Sequence, residues 1–211
     1  MNFDFSEEQL ALKEEARKFL AAKCPPDRVR KLMDEDSPGF DPELWAQVAE
    51  QGWLGAAIPE EHGGLGLGYL ELCCISEELG RAVAPVPFAS TVYFFAEALL
   101  RAGTPEQKAK YLPRVVTGEL IGTIASAEQA GAVSVANISA EVSGGKLTGV
   151  KMPVTDGVVA HHAVVLAKEG GKPTLYLVDL NGPGVTREAV ITIDRSREAA
   201  RVEFKDAPVE R

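Results

Sequence analysis

Two patterns of apolar and polar positions divide the chain. Over residues 1–118 apolar side chains recur every three or four positions, the spacing of one helix face. Ser6 can cap the amide of Gln9 while Gln9 reaches back to Ser6, with Phe5 and Leu10 flanking that box as a hydrophobic staple. Leu12, Ala16, Phe19 and Leu20 then share a face, and Pro25-Pro26 stops the helix. Asp41-Pro42 opens the next helix, Leu44, Trp45, Val48 and Ala49 form its apolar side, and Gly52 closes it. Leu72, Ile75 and Leu79 predict a helix over 69–79, closed by Gly80. Residues 90–102 are apolar nearly all round and predict a buried helix. Thr104 and Gln107 frame a second capping box before Tyr111, Leu112 and Val115, and Thr117-Gly118 ends the series.

From Gly118 onward the apolar residues are β-branched and come in short runs: 121–125, 138–142, 147–154, 163–167 and 174–178. Gly144-Gly145, Asp156-Gly157, Gly170-Gly171 and Gly182-Pro183-Gly184 punctuate them, and Ser143-Gly144-Gly145-Lys146 reads as a hairpin turn. No helical pattern of about ten residues separates the runs, which argues against parallel βαβ units. The predicted class is α+β: an all-α domain over 1–118, then an antiparallel β-barrel or sandwich over 119–211.

Composition narrows the function. The 211 residues are 45% apolar and 25% charged, an ordinary globular balance. Acidic residues outnumber basic ones 31 to 22, and only Arg28, Arg30 and Lys31 cluster, so no nucleic-acid partner is expected. No apolar run approaches the roughly 18 residues of a membrane span, and the N-terminus does not read as a signal peptide. Cys24, Cys73 and Cys74 read as buried thiols of a reducing, cytoplasmic compartment.

Candidate chemistry is sparse. Gly63-Gly64-Leu65-Gly66-Leu67-Gly68 resembles a phosphate cradle, but it follows Pro59-Glu60-Glu61-His62 inside the helical half rather than a strand, so a structural loop is expected. His161 and His162 are adjacent, which on a strand sends their rings to opposite faces, so neither they nor His62 is expected to ligate a metal. Glu7-Glu8, Glu60-Glu61 and Glu77-Glu78 read as solvated helix faces.

Almost the whole chain resembles the acyl-CoA dehydrogenase family of flavoproteins. The resemblance runs in family order through Phe5-Ser6-Glu7-Glu8-Gln9, then Gln51-Gly52-Trp53-Leu54-Gly55, then Ile58 to Gly66. It continues through Glu77-Glu78-Leu79-Gly80-Arg81, Gly103 to Lys108, Tyr111-Leu112-Pro113 and Gly118-Glu119. Leu147-Thr148-Gly149-Val150-Lys151 with Val154-Thr155-Asp156-Gly157 resembles the family strand pair that ends in Trp-Ile-Thr-Asn-Gly. The resemblance implies FAD, an acyl-CoA substrate, an electron-accepting flavoprotein partner and homo- or hetero-oligomers formed through C-terminal helices.

Three departures from the family pattern fall around the expected flavin. The family's C-terminal four-helix domain, which carries the catalytic Glu, has no counterpart in the sequence; none of Glu60, Glu78 and Glu128 matches that position, and no residue is assigned as base. The flavin strand, usually Thr-Glu-Pro followed by a Gly-Ser-Asp turn, reads Ala127-Glu128-Gln129-Ala130-Gly131-Ala132-Val133-Ser134. Ala127 lacks the family hydroxyl, and Ser134 replaces the turn serine after a one-residue slip. The family's flavin-side Trp is Pro153. The resemblance thus implies cofactor contacts from Ser126, Ala127, Ser134, Pro153, Val154 and Thr155, with Ser134 also facing substrate, while Lys151 and Gly157 read as structural. It leaves two functions open: an acyl-CoA dehydrogenase, or a non-catalytic scaffold or partner subunit with weak flavin binding.

Overall fold

The structure is a computed structural model that describes residues 4–34, 39–129 and 133–211. It divides into two compact units: Met1–Val86 with Thr104–Glu119, and Pro87–Gly103 with Leu120–Arg211. The sequence pattern draws its line at 118/119 by element type, whereas packing groups 87–103 with the strands.

In the helical unit α1 spans Glu7–Lys23, α2 Pro26–Asp34, α3 Pro42–Glu50, α4 Tyr69–Arg81 and α6 Pro105–Val116. Both predicted capping boxes form: Gln9 N donates to Ser6 Oγ and Ser6 N to Gln9 Oε1, and Thr104 and Gln107 make the same reciprocal pair. Each box satisfies backbone donors that have no partner inside the helix. The expected face of α1 is buried through Ala16 and Leu20, whereas Leu10 is exposed and the Lys13 ammonium lies over the Phe5 ring. Asp41 caps α3 through Leu44 N at 3.0 Å and pairs with Arg28. Pro25-Pro26 does end α1, but Pro26 also begins α2, a helix the pattern does not predict. A proline at the first helical position loses no hydrogen bond, so the same residue stops one helix and starts another.

Two sequence readings in this unit need correction. Glu78 is not on a solvated face: its side chain is fully buried, gripped by Arg17 Nη2 at 2.7 Å and Arg81 Nε at 2.7 Å. The Arg17 hydrogen bond outweighs the effect of burial and, with Arg81, holds the carboxyl at about 2. Cys73 is exposed, unlike Cys24 and Cys74. The glycine-rich stretch is the expected structural loop. The amides of Leu65, Gly66 and Leu67 donate to the carbonyls of Gly55, Ile58 and Ala56, so they face inward rather than toward an anion. A Cβ on Gly64 would lie 2.0 Å from Ile58 O, which is why that position is glycine.

The second unit holds a π-helical segment, Ala89–Ala96, continued by α5, Glu97–Ala102, and a seven-stranded sheet among the described residues. The strands are β1 Gly122–Ala125, β2 Glu141–Ser143, β3 Lys146–Thr155, β4 His162–Glu169, β5 Lys172–Asp179, β6 Val185–Val190 and β7 Ala199–Pro208. β4 pairs along one side with β5 and on the other first with β1, then at its far end with β2. β2, β3, β7 and β6 follow as antiparallel neighbours. A bridge between Leu177 and Glu210 ties the chain beyond β7 back to β5 and curls the sheet.

The helices-then-strands order is as predicted, but the sheet is mixed, because β1 and β2 both run parallel to β4. Parallel pairing here needs no intervening helix; the β2–β3 hairpin makes the crossover from β1 to β4. The buried helix expected over 90–102 packs against β1. A Cβ on Gly122 would sit 2.1 Å from the Phe95 ring, and Thr91 exchanges hydrogen bonds with Gly122.

The Glu78 ion pairs set an acid limit on the helical unit. The folded carboxyl sits near 2 against 4.5 unperturbed, so its contribution is complete above about pH 4.5 and is lost as pH falls toward 2. Glu78→Gln is expected to cost about 2 kcal/mol at pH 7, less than a fully buried pair because both arginines are half exposed. The same change should flatten the loss of melting temperature between pH 7 and pH 3; an unaltered slope would contradict the assignment. Gly122→Ala is expected to lower the melting temperature of the second unit by forcing Phe95 aside.

Candidate functional site

Of the predicted cofactor-facing residues, Ser126 and Ala127 lie where β1 runs out of the sheet. Ser126, Ala127 and Ser134 line one open cleft together with Glu128, Gln129, Val133, Asn137 and Ile138. Ser134 is exposed and precedes the short turn Val135–Asn137, whose Asn137 N donates to Ser134 O at 3.0 Å. Ala130, Gly131 and Ala132 lie outside the described residues.

Pro153, Val154 and Thr155 end β3 and do not line that cleft. Ala127 O, however, accepts Met152 N at 2.9 Å, which sets β1's continuation beside this strand end. The β3–β7 register shifts between Lys151 and Val154, so Pro153 occupies an irregularity where its missing N–H breaks no regular ladder. Alternation exposes Pro153 and Thr155 and buries the Val154 side chain in the core. Thr155 O accepts the Thr123 hydroxyl at 2.7 Å.

An ion pair runs from the cleft wall into the core. Lys151 is fully buried and donates to Glu128 Oε1 at 2.7 Å and to Ser126 O at 3.4 Å. Glu128 also accepts Ser139 N at 2.7 Å, the Ser139 hydroxyl, and Ala140 N at 3.0 Å. Burial alone would raise the Glu128 carboxyl, but Lys151, Ser139 and the two amides hold it at about 2. Burial pushes the Lys151 ammonium down, against the hydrogen bond it donates to Glu128. Both carboxylate oxygens are occupied, so Glu128 is not available as a general base. Glu78 is excluded on the same ground by its two arginines.

A second buried carboxyl anchors the end of β3. Asp156 adopts a left-handed backbone, φ 54°, which Asp tolerates and most side chains do not. It accepts the Ser90 hydroxyl at 2.6 Å from the π-helical segment, lies 3.5 Å from Arg197, and its amide donates to Glu198 O. Burial pushes its carboxyl up; Ser90 and Arg197 pull the other way. Arg187 braces the following turn through the carbonyls of Val158 and Ala160, each at 2.9 Å. His161 accepts Ile121 N at Nδ1, 3.0 Å, a structural use of that ring. Among the described residues no group of three His, Cys, Asp or Glu side chains could hold a metal ion.

Sequence reasoning missed Gln129 and Asn137 as lining residues, Ser139 as a Glu128 partner, and Ser90 as the partner of Asp156. The Ser90–Asp156 contact spans 66 residues, and nothing local in either segment announces it.

A family model described as "Acyl-CoA dehydrogenase, N-terminal domain" matches residues 6–119. A mitochondrial isovaleryl-CoA dehydrogenase from Solanum tuberosum is 35% identical over 170 residues, 78% of this chain and 41% of that protein. The acyl-CoA dehydrogenase FadE27 of Mycobacterium tuberculosis is 34% identical over 171 residues, 81% of this chain and 45% of the relative. A chain in the ChsE4–ChsE5 complex from Mycobacterium tuberculosis superimposes with a TM-score of 0.88 at 31% identity, covering 100% of this chain and 57% of that one. The chain thus spans about two fifths of the length of the curated relatives it matches. No described helix is long and apolar enough to cross a membrane.

Ser90→Ala is expected to leave the buried Asp156 carboxyl without its hydroxyl donor and to cost about 1–3 kcal/mol. Urea denaturation of the variant against the parent chain measures this; equal midpoints and slopes would remove Ser90 from the account.

Proposed function

The chain belongs to the acyl-CoA dehydrogenase family, and we propose that it supplies the helical and β portions of an FAD-dependent enzyme that desaturates an acyl-CoA thioester between its α and β carbons. The observation that carries this reading is the cleft at the end of β1. Its lining combines the Ser126 and Ser134 hydroxyls, the Gln129 and Asn137 amides and the apolar Val133 and Ile138, while its one carboxylate is already neutralised by Lys151. Neutral donors and acceptors beside an apolar wall suit a planar hydrogen-bonding heterocycle such as the flavin ring. They do not suit a metal ion or a bare polyanion.

When bound, FAD supplies the hydride acceptor for the substrate's β-carbon. The chain's own residues bind and orient. Ser126, Ala127 and Ser134 would hold the ring from the cleft and Pro153 and Thr155 from the end of β3, and Ser134 would also serve the acyl-CoA. Proton removal from the α-carbon needs a carboxylate within hydrogen-bond reach, and neither Glu78 nor Glu128 offers one. An electron-accepting flavoprotein is the proposed onward partner. The three free thiols support a reducing compartment, which we take as cytoplasmic.

A second reading is a scaffold or partner subunit that binds flavin weakly. Ala127 and Pro153, where the family carries a hydroxyl and an indole, favour it, and so does the pairing of ChsE4 with ChsE5 in a similar protein. Both readings meet in one measurement, the titration of the chain with FAD followed by flavin fluorescence. Saturable binding supports a flavin site. The double substitution Ala127→Thr with Pro153→Trp is expected to tighten that binding about tenfold by restoring a hydroxyl and a large apolar wall. An unchanged affinity would take those two positions out of the flavin site. Turnover of acyl-CoA thioesters with an artificial electron acceptor, assayed on a version extended to include the domain that brings the base, then separates enzyme from scaffold.

A further inference from the structure

We infer that Glu128 is a positioning residue: its carboxylate clasps both ends of the segment that forms the cleft and holds that segment in register with β3. The inference rests on the flavin reading for what the cleft takes, but the clasp itself is a statement about this chain alone.

Three consecutive residues are tied to β3. Ser126 O accepts Lys151 Nζ, Ala127 O accepts Met152 N, and Glu128 Oε1 accepts Lys151 Nζ. From that fixed end the chain leaves the sheet and returns at Ser139 and Ala140, whose amides both donate to the same carboxylate. One side chain therefore closes the excursion across its neck. The described lining residues Val133, Ser134, Asn137 and Ile138 all belong to that excursion, and Ser126 and Ala127 lie at its root.

The clasp has to be charged. Lys151 is fully buried, and an ammonium there needs a counter-charge. A glutamine keeps only one acceptor oxygen, and its NH2 cannot accept the bonds made to the other, so it would open the clasp on one side as well as strand the lysine. The other charged groups packed nearby are Lys168 on β4, whose Nζ donates to Ala136 O at 3.3 Å, and Glu141 on β2, which pairs with Lys168 in the sheet. Neither can substitute for Glu128, because Lys168 carries the wrong sign and Glu141 is exposed.

The test compares the parent chain with Glu128→Gln and with Glu128→Gln/Lys151→Met. The readouts are FAD affinity between pH 6 and pH 10, melting temperature, and amide hydrogen exchange at Ser139, Ala140 and Met152. Glu128→Gln is expected to weaken FAD binding by about tenfold or more near neutral pH. That loss should shrink only in part as pH rises and the stranded Lys151 gives up its proton, levelling off at the weak affinity of the double variant, while the parent's affinity stays flat until FAD itself titrates. The double variant should recover melting temperature, having no buried charge, yet keep weak FAD binding and fast exchange at the three amides. A residue that merely supports the fold would recover both together.

Parent-like FAD affinity in the double variant overturns the inference, and that comparison stands even if the single variant fails to fold. Parent-like exchange at the three amides overturns it whether or not FAD binds. If the parent chain binds no FAD but the double variant exchanges faster at those amides, the clasp stands and the flavin reading falls.

Discussion

A charge placed in a protein core sets terms for everything around it. Lys151 sits fully buried on β3, and its ammonium cannot stay there without an anion and acceptors. Glu128 and Ser126 O meet that demand. Meeting it fixes where β1 must run after it leaves the sheet, where the chain must re-enter at Ser139, and how β3 lies between them. Ser139 and Ala140 take up the carboxylate's remaining capacity, so both of its oxygens are occupied. Pairs of this kind contribute little net stability compared with apolar residues of the same shape. What this one does supply is a single allowed arrangement for three stretches of backbone.

The end of β3 shows the same logic on a second scale. Pro153 and Thr155 face outward only because Val154 points into the core and Asp156 turns the chain in a left-handed conformation. Asp156 holds that turn through Ser90, Arg197 and the Glu198 carbonyl. The family resemblance has Asn where this chain has Asp156, and both tolerate a positive φ through a short polar side chain. The segment that would border a flavin is thus positioned from behind by groups that do not themselves line the cleft.

Much of this was legible in the sequence, for local reasons. Capping boxes at Ser6 and Thr104 are contained within four residues, and both form. The glycine loop is recognisable as structural because its context is helical, and its amides do turn inward. What was not legible depends on distance. Glu78 reads as surface because it follows another Glu, yet Arg17 lies 61 residues away in sequence and gathers it into the core. α2 was hidden by a proline pair that reads as a stop. β6, with its Thr186-Arg187-Glu188 centre and partly exposed pattern, lacks the apolar run that marks the inner strands. The parallel pairings onto β4 are invisible to a rule that expects a helix between parallel strands.

The division of the chain into units has a consequence for its making. The π-helical segment and α5 pack with the strands, although they lie between α4 and α6, which belong to the helical unit. On a ribosome that segment emerges before β1, its first partner, and well before β3. The helical unit in turn stays incomplete until α6 has followed it out. Neither unit can finish by simple succession, and no single cut through the polypeptide separates them. The segments that complete the two units are therefore interleaved along the chain, and the glycine that makes room for Phe95 is added only after the whole of α6.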